Sequence, residues 1–283
     1  HWSEHPDRDE TWAETEKSRI GEERFRREHE CEFLIFDETL ISSLVLADME
    51  GVAPVENTGQ VRWFKRPTPG NTYLTSLDPS MGTGGDYAAI QVFELPSFEQ
   101  VAEWHHNQTP MNQQVRILQG INKHIHDTIM EKDTSATPQI FYSMENNSIG
   151  EAALMRVMDI GEENIEGMFL SEPIRKGHRR KFRRGFNTTA KHKIDACTKF
   201  KELIENDKMK INSQLLISEL KDFVASGMSY NAKPGQHDDL VSACLLMTRM
   251  MKVLADFDPK IFEKWTDRTS QITPMPIFGS FTG

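Results

Sequence analysis

The chain has 283 residues, 37% of them hydrophobic and 27% charged, enough for a full core in an ordinary soluble protein. Its net charge of −10, taken alone, argues against a nucleic-acid partner, because phosphate neutralisation supplies most of the affinity of such binders, although an average hides local patches. No apolar run approaches the roughly 18 residues that span a bilayer, and the widely spaced, odd-numbered Cys31, Cys197 and Cys244 fit reduced structural thiols better than a disulfide framework or a zinc knuckle.

The start, "HWSEHPDRDETW", lacks the layout of a signal peptide, and its lack of Met suggests a piece of a longer protein. "TWAETEKSRIGEERFRREHECEFL" reads as helix and "TLISSLVLADM" as an apolar segment. A linker or domain boundary is expected in "EGVAPVENTG". The segment "RWFKRPTPGNTYLTSLD" enters a strand, "YAAIQVFEL" is a second strand and "QVAEWHHN" a third. Leu118, Ile121, Ile125 and Ile129 then recur at helical spacing. "PQIFYSMEN" is a short apolar strand ending in an acid, and "SIGEAALMRVMDIG" a helix stopped by Gly161. A long helix over "TTAKHKIDACTKFKELIENDK" is capped by Thr188 or Thr189. "MKINS" reads as a strand, "SQLLISELKDFVASG" as a helix closed by Gly227, and "HDDLVSACLLMTRMMKVLA" as a buried helix with an acidic first turn. The tail after about residue 258 is expected to be an extended arm. Three strands, helix, strand, helix, then a strand and helices is an α/β layout. It is the element order of the RNase H-like fold, a central mixed sheet with an antiparallel opening meander, flanked by helices.

Acids stand at three element ends: Asp78 after "YLTSL", Glu145 after "IFYSM", and Asp238 and Asp239 at the start of the last long helix. The element order brings them to one sheet edge. Gathered carboxylates repel one another unless a cation neutralises them, and oxygen ligands of this kind suit Mg²⁺ or Mn²⁺. Each acid also has a plain reading, as a turn residue, a turn cap, or a helix N-cap favoured by the dipole; the joint pattern favours chemistry. "GTGGDY" fails both phosphate-loop patterns, so its glycines are expected in a hairpin turn. Asp86 across that turn is either auxiliary to the metals or a solvated turn residue. His237 adjoins the paired acids and is placed to orient one of them or to contact a phosphate. "IRKGHRRKFRRGF" carries Arg175, Lys176, Arg179, Arg180, Lys181, Arg183 and Arg184. It is either a solvated loop or a strip that tracks a polyanion backbone.

Taken in order and spacing, "TYLTSLDPSMGTGGDYAAIQVFEL", "IFYSMENNSIGEA", "GFNTTAKHKIDACTKFKELIENDKMKI", "ISELKDFV" and "GQHDDLVSACLL" resemble the C-terminal nuclease domain of the large terminase subunit of tailed bacteriophages. "RFRREHECEFLIFDETLIS" is similar to the end of the preceding ATPase domain. The resemblance implies a metal-dependent endonuclease that cuts concatemeric viral DNA during genome packaging by two-metal phosphodiester hydrolysis. It makes Asp78, Glu145, Asp238 and Asp239 the catalytic acids and Asp78, Glu145 and one of Asp238/Asp239, with Asp239 favoured, the ligands of two Mg²⁺ or Mn²⁺ ions. The basic strip, with Lys191 of the next helix, holds double-stranded DNA. The portal protein and small terminase subunit are the implied partners, without a membrane, in the host cytoplasm. The implied division is an ATPase-domain remnant and linker over 1–58, the nuclease over 59–258 and a tail over 259–283. No GxxxxGK[ST] motif is present, so the ATPase part is expected to be absent. Two other readings stay open: a resolvase- or transposase-type nuclease on the same fold, and a non-catalytic docking module.

Overall fold

The computed structural model describes residues 1–30, 38–147, 149–173 and 184–257. Cys31, the basic residues 175–183 and the tail after 257 lie outside that range. The charged start forms two helices, α1 (Glu10–Ile20) and α2 (Glu22–His29), where the sequence suggests one. The break is Gly21, whose φ of +85° side-chain-bearing residues resist. Trp2, Trp12 and Phe25 close over the pair with ring centroids 6.0–6.5 Å apart. Arg26 reaches Asp48 at 2.8 Å, the last residue of α3 (Ser43–Asp48), which the Ser42 hydroxyl caps.

Two three-residue strands follow, β1 (Glu56–Thr58) and β2 (Val61–Trp63), then the meander β3 (Thr72–Asp78), β4 (Ala88–Leu95) and β5 (Glu99–His106). Next come α4 (Met111–Lys132), β6 (Gln139–Met144), α5 (Gly150–Ile160) and β7 (Met168–Phe169). The described chain closes with α6 (Ala190–Glu205), α7 (Gln214–Asp222), a hairpin of β8 (Phe223–Ser226) and β9 (Ser229–Ala232), and α8 (Asp239–Phe257). Seven strands make one sheet in the order β1-β2-β5-β4-β3-β6-β7. β3, β6 and β7 run parallel and the other neighbouring pairs antiparallel.

Strand alternation sorts the sheet into two cores. Tyr73, Leu77, Ile90, Val92, Tyr142 and Met144 pack against α4 and α5 through Val115, Leu118, Ile121, Ile125 and Val157. Leu74, Ala89 and Phe93 pack on the other face against Phe200, Leu216, Leu240, Cys244 and Met247 of α6, α7 and α8. Each such side chain, fully withdrawn from water, contributes about 1.5–3 kcal/mol. Leu74 and Ser76 pair with Phe141 and Ser143 of β6. Continuing both strands by the period of two puts Asp78 and Glu145 side by side, facing α6 and α8.

Two expected elements differ. "MKINS" makes one isolated parallel bridge, Glu99 to Lys210, because Asn212 and Ser213 turn inward to Gln100. The helix expected to run to Gly227 ends at Asp222, and the β-prone "FVAS" pairs with "SYNA" as β8–β9. Gly227, at φ +61°, is the first of two turn residues in that hairpin, a position that favours glycine. β1 joins the sheet through β2, so residue 58 falls within a hairpin. Residues 38–41 also reach this fold: Leu40 N–H donates to the Phe223 carbonyl and Ala225 N–H to that of Glu38, at 3.0 and 2.8 Å.

Candidate active site

Asp78 ends β3, and the chain beyond it is pinned. The buried Gln114 of α4 accepts from Ser80 N–H at 3.3 Å and donates to the Ser80 and Thr109 carbonyls at 2.9 and 2.7 Å. In the loop that follows, Gly82 has φ +69° and a Cβ there would lie 2.2 Å from the Thr109 carbonyl oxygen. Gly84, at φ +94°, donates to the Asn107 carbonyl at 2.9 Å and accepts from the Asn107 side chain at 3.1 Å. The glycines serve the turn's geometry, seating it on the β5–α4 connection.

Glu145 directly follows β6, and its N–H donates to the Leu77 carbonyl at 3.1 Å. Two close approaches hold it. Asn147 donates to Glu145 Oε2 at 3.1 Å while its Oδ1 accepts from Ile149 and Gly150 N–H at 3.0 and 2.8 Å. A Cβ on Gly150 would stand 1.9 Å from the Glu145 carbonyl oxygen, so only glycine lets α5 begin there. On the other side, Gly185 has φ +76° and its Cβ would meet the Met144 carbonyl oxygen at 2.7 Å. That approach lets buried Phe186 bridge to Glu145, after which Thr189 caps α6.

The start of α8 completes the cluster. Ser76 Oγ donates to the Ala243 carbonyl at 2.8 Å, tying α8 across β3, and Ser242 N–H closes the first turn on Asp238 at 2.7 Å. Asp239, with a side chain only 15% exposed, lies 3.6 Å from His237 Nδ1, with the Tyr87 N–H near enough to favour its charged form. Asp238 turns the other way, 3.7 Å from Lys193 Nζ. Asp86 is exposed and close enough for its charge to act on Asp239.

The electrostatics identify one crowded acidic centre. Desolvation and then the charge of Glu145 push the Asp78 carboxyl well above the ordinary carboxylate range; Asp239 adds more repulsion than Asp238. Desolvation and Asp238 raise Asp239 to about 6, against the pull of His237 and the Tyr87 N–H. Among the described residues no three His, Cys, Asp or Glu side chains stand close enough in this conformation to hold one ion. The donors nonetheless fit a hard divalent cation. They are all carboxylate oxygens, and the charge of Glu145 and Asp239 on the desolvated Asp78 is a repulsion that a cation would relieve.

Of the expected DNA contacts, Arg175, Lys176, Arg179, Arg180, Lys181 and Arg183 lie outside the described residues. Arg184 pairs with Glu162. Lys191 is exposed on α6, whereas Lys193, two residues on, reaches the acids. Reading the sequence by motif misses Lys193, but the helical period finds it: residues 193, 196, 197 and 200 share the stripe that carries buried Ala196, Cys197 and Phe200. A cavity of about 220 Å³ beside the acids is lined by Glu145, Thr188, Lys193, Ser242 and Arg249. Asn147, Tyr87 and Glu219 of α7 are further residues the motifs do not single out.

An antiparallel meander, a parallel strand beside its first strand and acids at the ends of both, under a helix that opens with a third acid, define an RNase H-like domain. The sequence model of the family described as the terminase RNase H-like domain matches residues 75–250. The chain therefore belongs to that family, the nuclease part of the large terminase subunit. It is similar to the large terminase nuclease of thermophilic phage G20c with bound magnesium, at 16% identity and a TM-score of 0.55, over 76% of this chain and 97% of that one. The same nuclease with bound cobalt gives 16% identity, a TM-score of 0.55 and the same two coverages. The Thermus phage P74-26 large terminase nuclease domain is 17% identical, with a TM-score of 0.50, over 71% of this chain and 90% of that one. At these identities the likeness bears on the fold.

Proposed function

We propose that this chain is a divalent-metal-dependent endonuclease that cleaves concatemeric viral DNA during genome packaging. The observation that carries the reading is that Asp78, Glu145 and Asp239 come from three elements to one edge of the sheet, where the desolvated Asp78 feels the charge of both others. Asp78, Glu145 and Asp239 would hold Mg²⁺ or Mn²⁺, two ions per site. Ions so held lower the pKa of water to supply a nucleophile and stabilise the leaving oxygen of a phosphodiester. The protein's own part is to keep these carboxylates fixed and to bind the strand. Lys193 and Arg249 line the cavity beside Glu145, where positive charge would meet a phosphate next to the acids. Asp86 and His237 stand at the rim as auxiliary groups. The basic strip 175–184 and Lys191 would hold the duplex beyond.

Residues 59–258 are assigned to the nuclease, 1–58 to the end of an ATPase domain and its linker, and 259–283 to a tail. The partners would be the portal and the small terminase subunit, in the host cytoplasm; no helix among the described residues is long and apolar enough to cross a membrane. Asp78→Ala should abolish Mn²⁺-dependent nicking of plasmid DNA, at least about 10³-fold given the several kcal/mol that metals supply to the transition state, with the circular dichroism unchanged. Cutting retained by that variant would end the assignment.

A further inference from the structure

Glu219 belongs to none of the motifs' acidic ends, yet it is aimed at the centre. It lies on α7, its side chain only 10% exposed. Its Oε2 accepts from Val241 N–H at 3.1 Å, and the Leu240 N–H is near enough to favour its charged form. Those are two of the unpaired amides in the first turn of α8, the turn that begins with Asp239. On its other side, Oε1 lies 3.7 Å from His105 Nε2, a buried atom without a hydrogen-bond partner. The His105 ring stacks on Tyr87, centroids 4.1 Å apart and planes at 17°. The Tyr87 and His237 rings meet edge to face with centroids 4.8 Å apart, and the Tyr87 N–H is near enough to Asp239 to favour its charged form. Asp239 is thus bounded by one continuous set of contacts that starts at Glu219.

We infer that Glu219 is a positioning residue for metal binding: its carboxyl caps α8 from a neighbouring helix and fixes where Asp239 stands, without itself touching an ion. An ordinary N-cap comes from the residue just before the helix; here the preceding residues are the chemical ones, and the capping acceptor comes from elsewhere. Groups behind a ligand commonly change metal affinity by 10–100-fold when removed. A glutamine suits the place, since its carbonyl oxygen can accept from Val241 and its amide can donate to His105.

The inference rests on the metal site proposed above, and calorimetric titration of the whole chain with Mn²⁺ separates the two. Wild type should bind Mn²⁺ and Asp78→Ala should not; failure of that comparison overturns the metal site and this inference with it. Given that comparison, Glu219→Ala should weaken Mn²⁺ binding about tenfold, while Glu219→Gln should stay close to wild type. Ile125→Val, a truncation in the core on the opposite face of the sheet, serves as the control for general loosening and should leave the affinity unchanged. Wild-type affinity in Glu219→Ala, or equal losses in Glu219→Ala and Ile125→Val, would overturn the positioning role and leave the metal site standing.

Discussion

Asp238 and Asp239 are adjacent in sequence and opposite in surroundings. Asp239 is the more buried, stands near the Tyr87 N–H and presses on Asp78, while Asp238 is drawn toward Lys193. Asp239→Asn should therefore remove Mn²⁺-dependent nicking by at least about 10²-fold, and Asp238→Asn should keep it within about tenfold of wild type; parity of the two variants in a plasmid assay would contradict the distinction. Glu219 gives a second prediction. Burial raises it to about 9 from its ordinary 4.5, so across that window the folded state holds a proton that the unfolded chain has lost, and stability falls as pH rises. His105, lowered by burial from 6.5 to about 4, acts in the opposite sense below pH 6.5, and the window of Asp239 closes at about 6. From about pH 6.5 to 9 in EDTA, Tm should therefore fall, and Glu219→Gln should flatten that slope. An unchanged slope in the variant would show that Glu219 does not hold the proton.

Two contacts between elements aim the acids. Ser76 Oγ binds the Ala243 carbonyl inside the core, a bond added to that carbonyl's own helical one in α8, so Ser76→Ala should cost about 0.5–1.5 kcal/mol by urea denaturation. Gly150 lies against the Glu145 backbone. Overpacking of this kind costs about 1–3 kcal/mol, so Gly150→Ala should lower both stability and nicking, because relief of the clash must move either α5 or Glu145. Elements of this size were legible in the sequence wherever one period ran long enough: β3, β4, β5, α4, β6 and α6 all follow their apolar spacing. What the sequence concealed has local causes. β1, β2 and β7 are two or three residues long, too short for an alternation to register. α7 and β8 are contiguous, so the period changes without a turn residue to mark it, and Gly227 resembles a helix stop although it closes a hairpin.

At the scale of the whole molecule, an acidic chain that handles DNA must concentrate its positive charge. Lys193 brings it next to the acids, where Arg249 is already paired with Glu172, and "RKGHRRKFRR" supplies it in sequence. Arg179→Ala, Arg180→Ala and Arg183→Ala together should weaken binding to a duplex irrespective of its sequence. They should reduce the slope of log K against log salt by about 0.9 for each phosphate that is no longer neutralised; an unchanged slope would remove the strip from the interface. The proposed site was legible to the extent that its acids, Asp78, Glu145 and Asp239, stand at element ends. Glu219 lies within the quoted "ISELKDFV", but its role was hidden because an acid on an amphipathic helix reads as its solvated face, and only tertiary packing turns it toward α8. The motif favours Lys191 over Lys193, although the helical stripe distinguishes them. The central claim, that Asp78, Glu145 and Asp239 form one divalent-metal site, is tested most directly by anomalous diffraction from a crystal of this chain soaked in Mn²⁺. Two peaks between those three carboxylates, with Glu219 outside the coordination shell, are the predicted result. A map with no peak there, or with Mn²⁺ bound only at other acids, would contradict it.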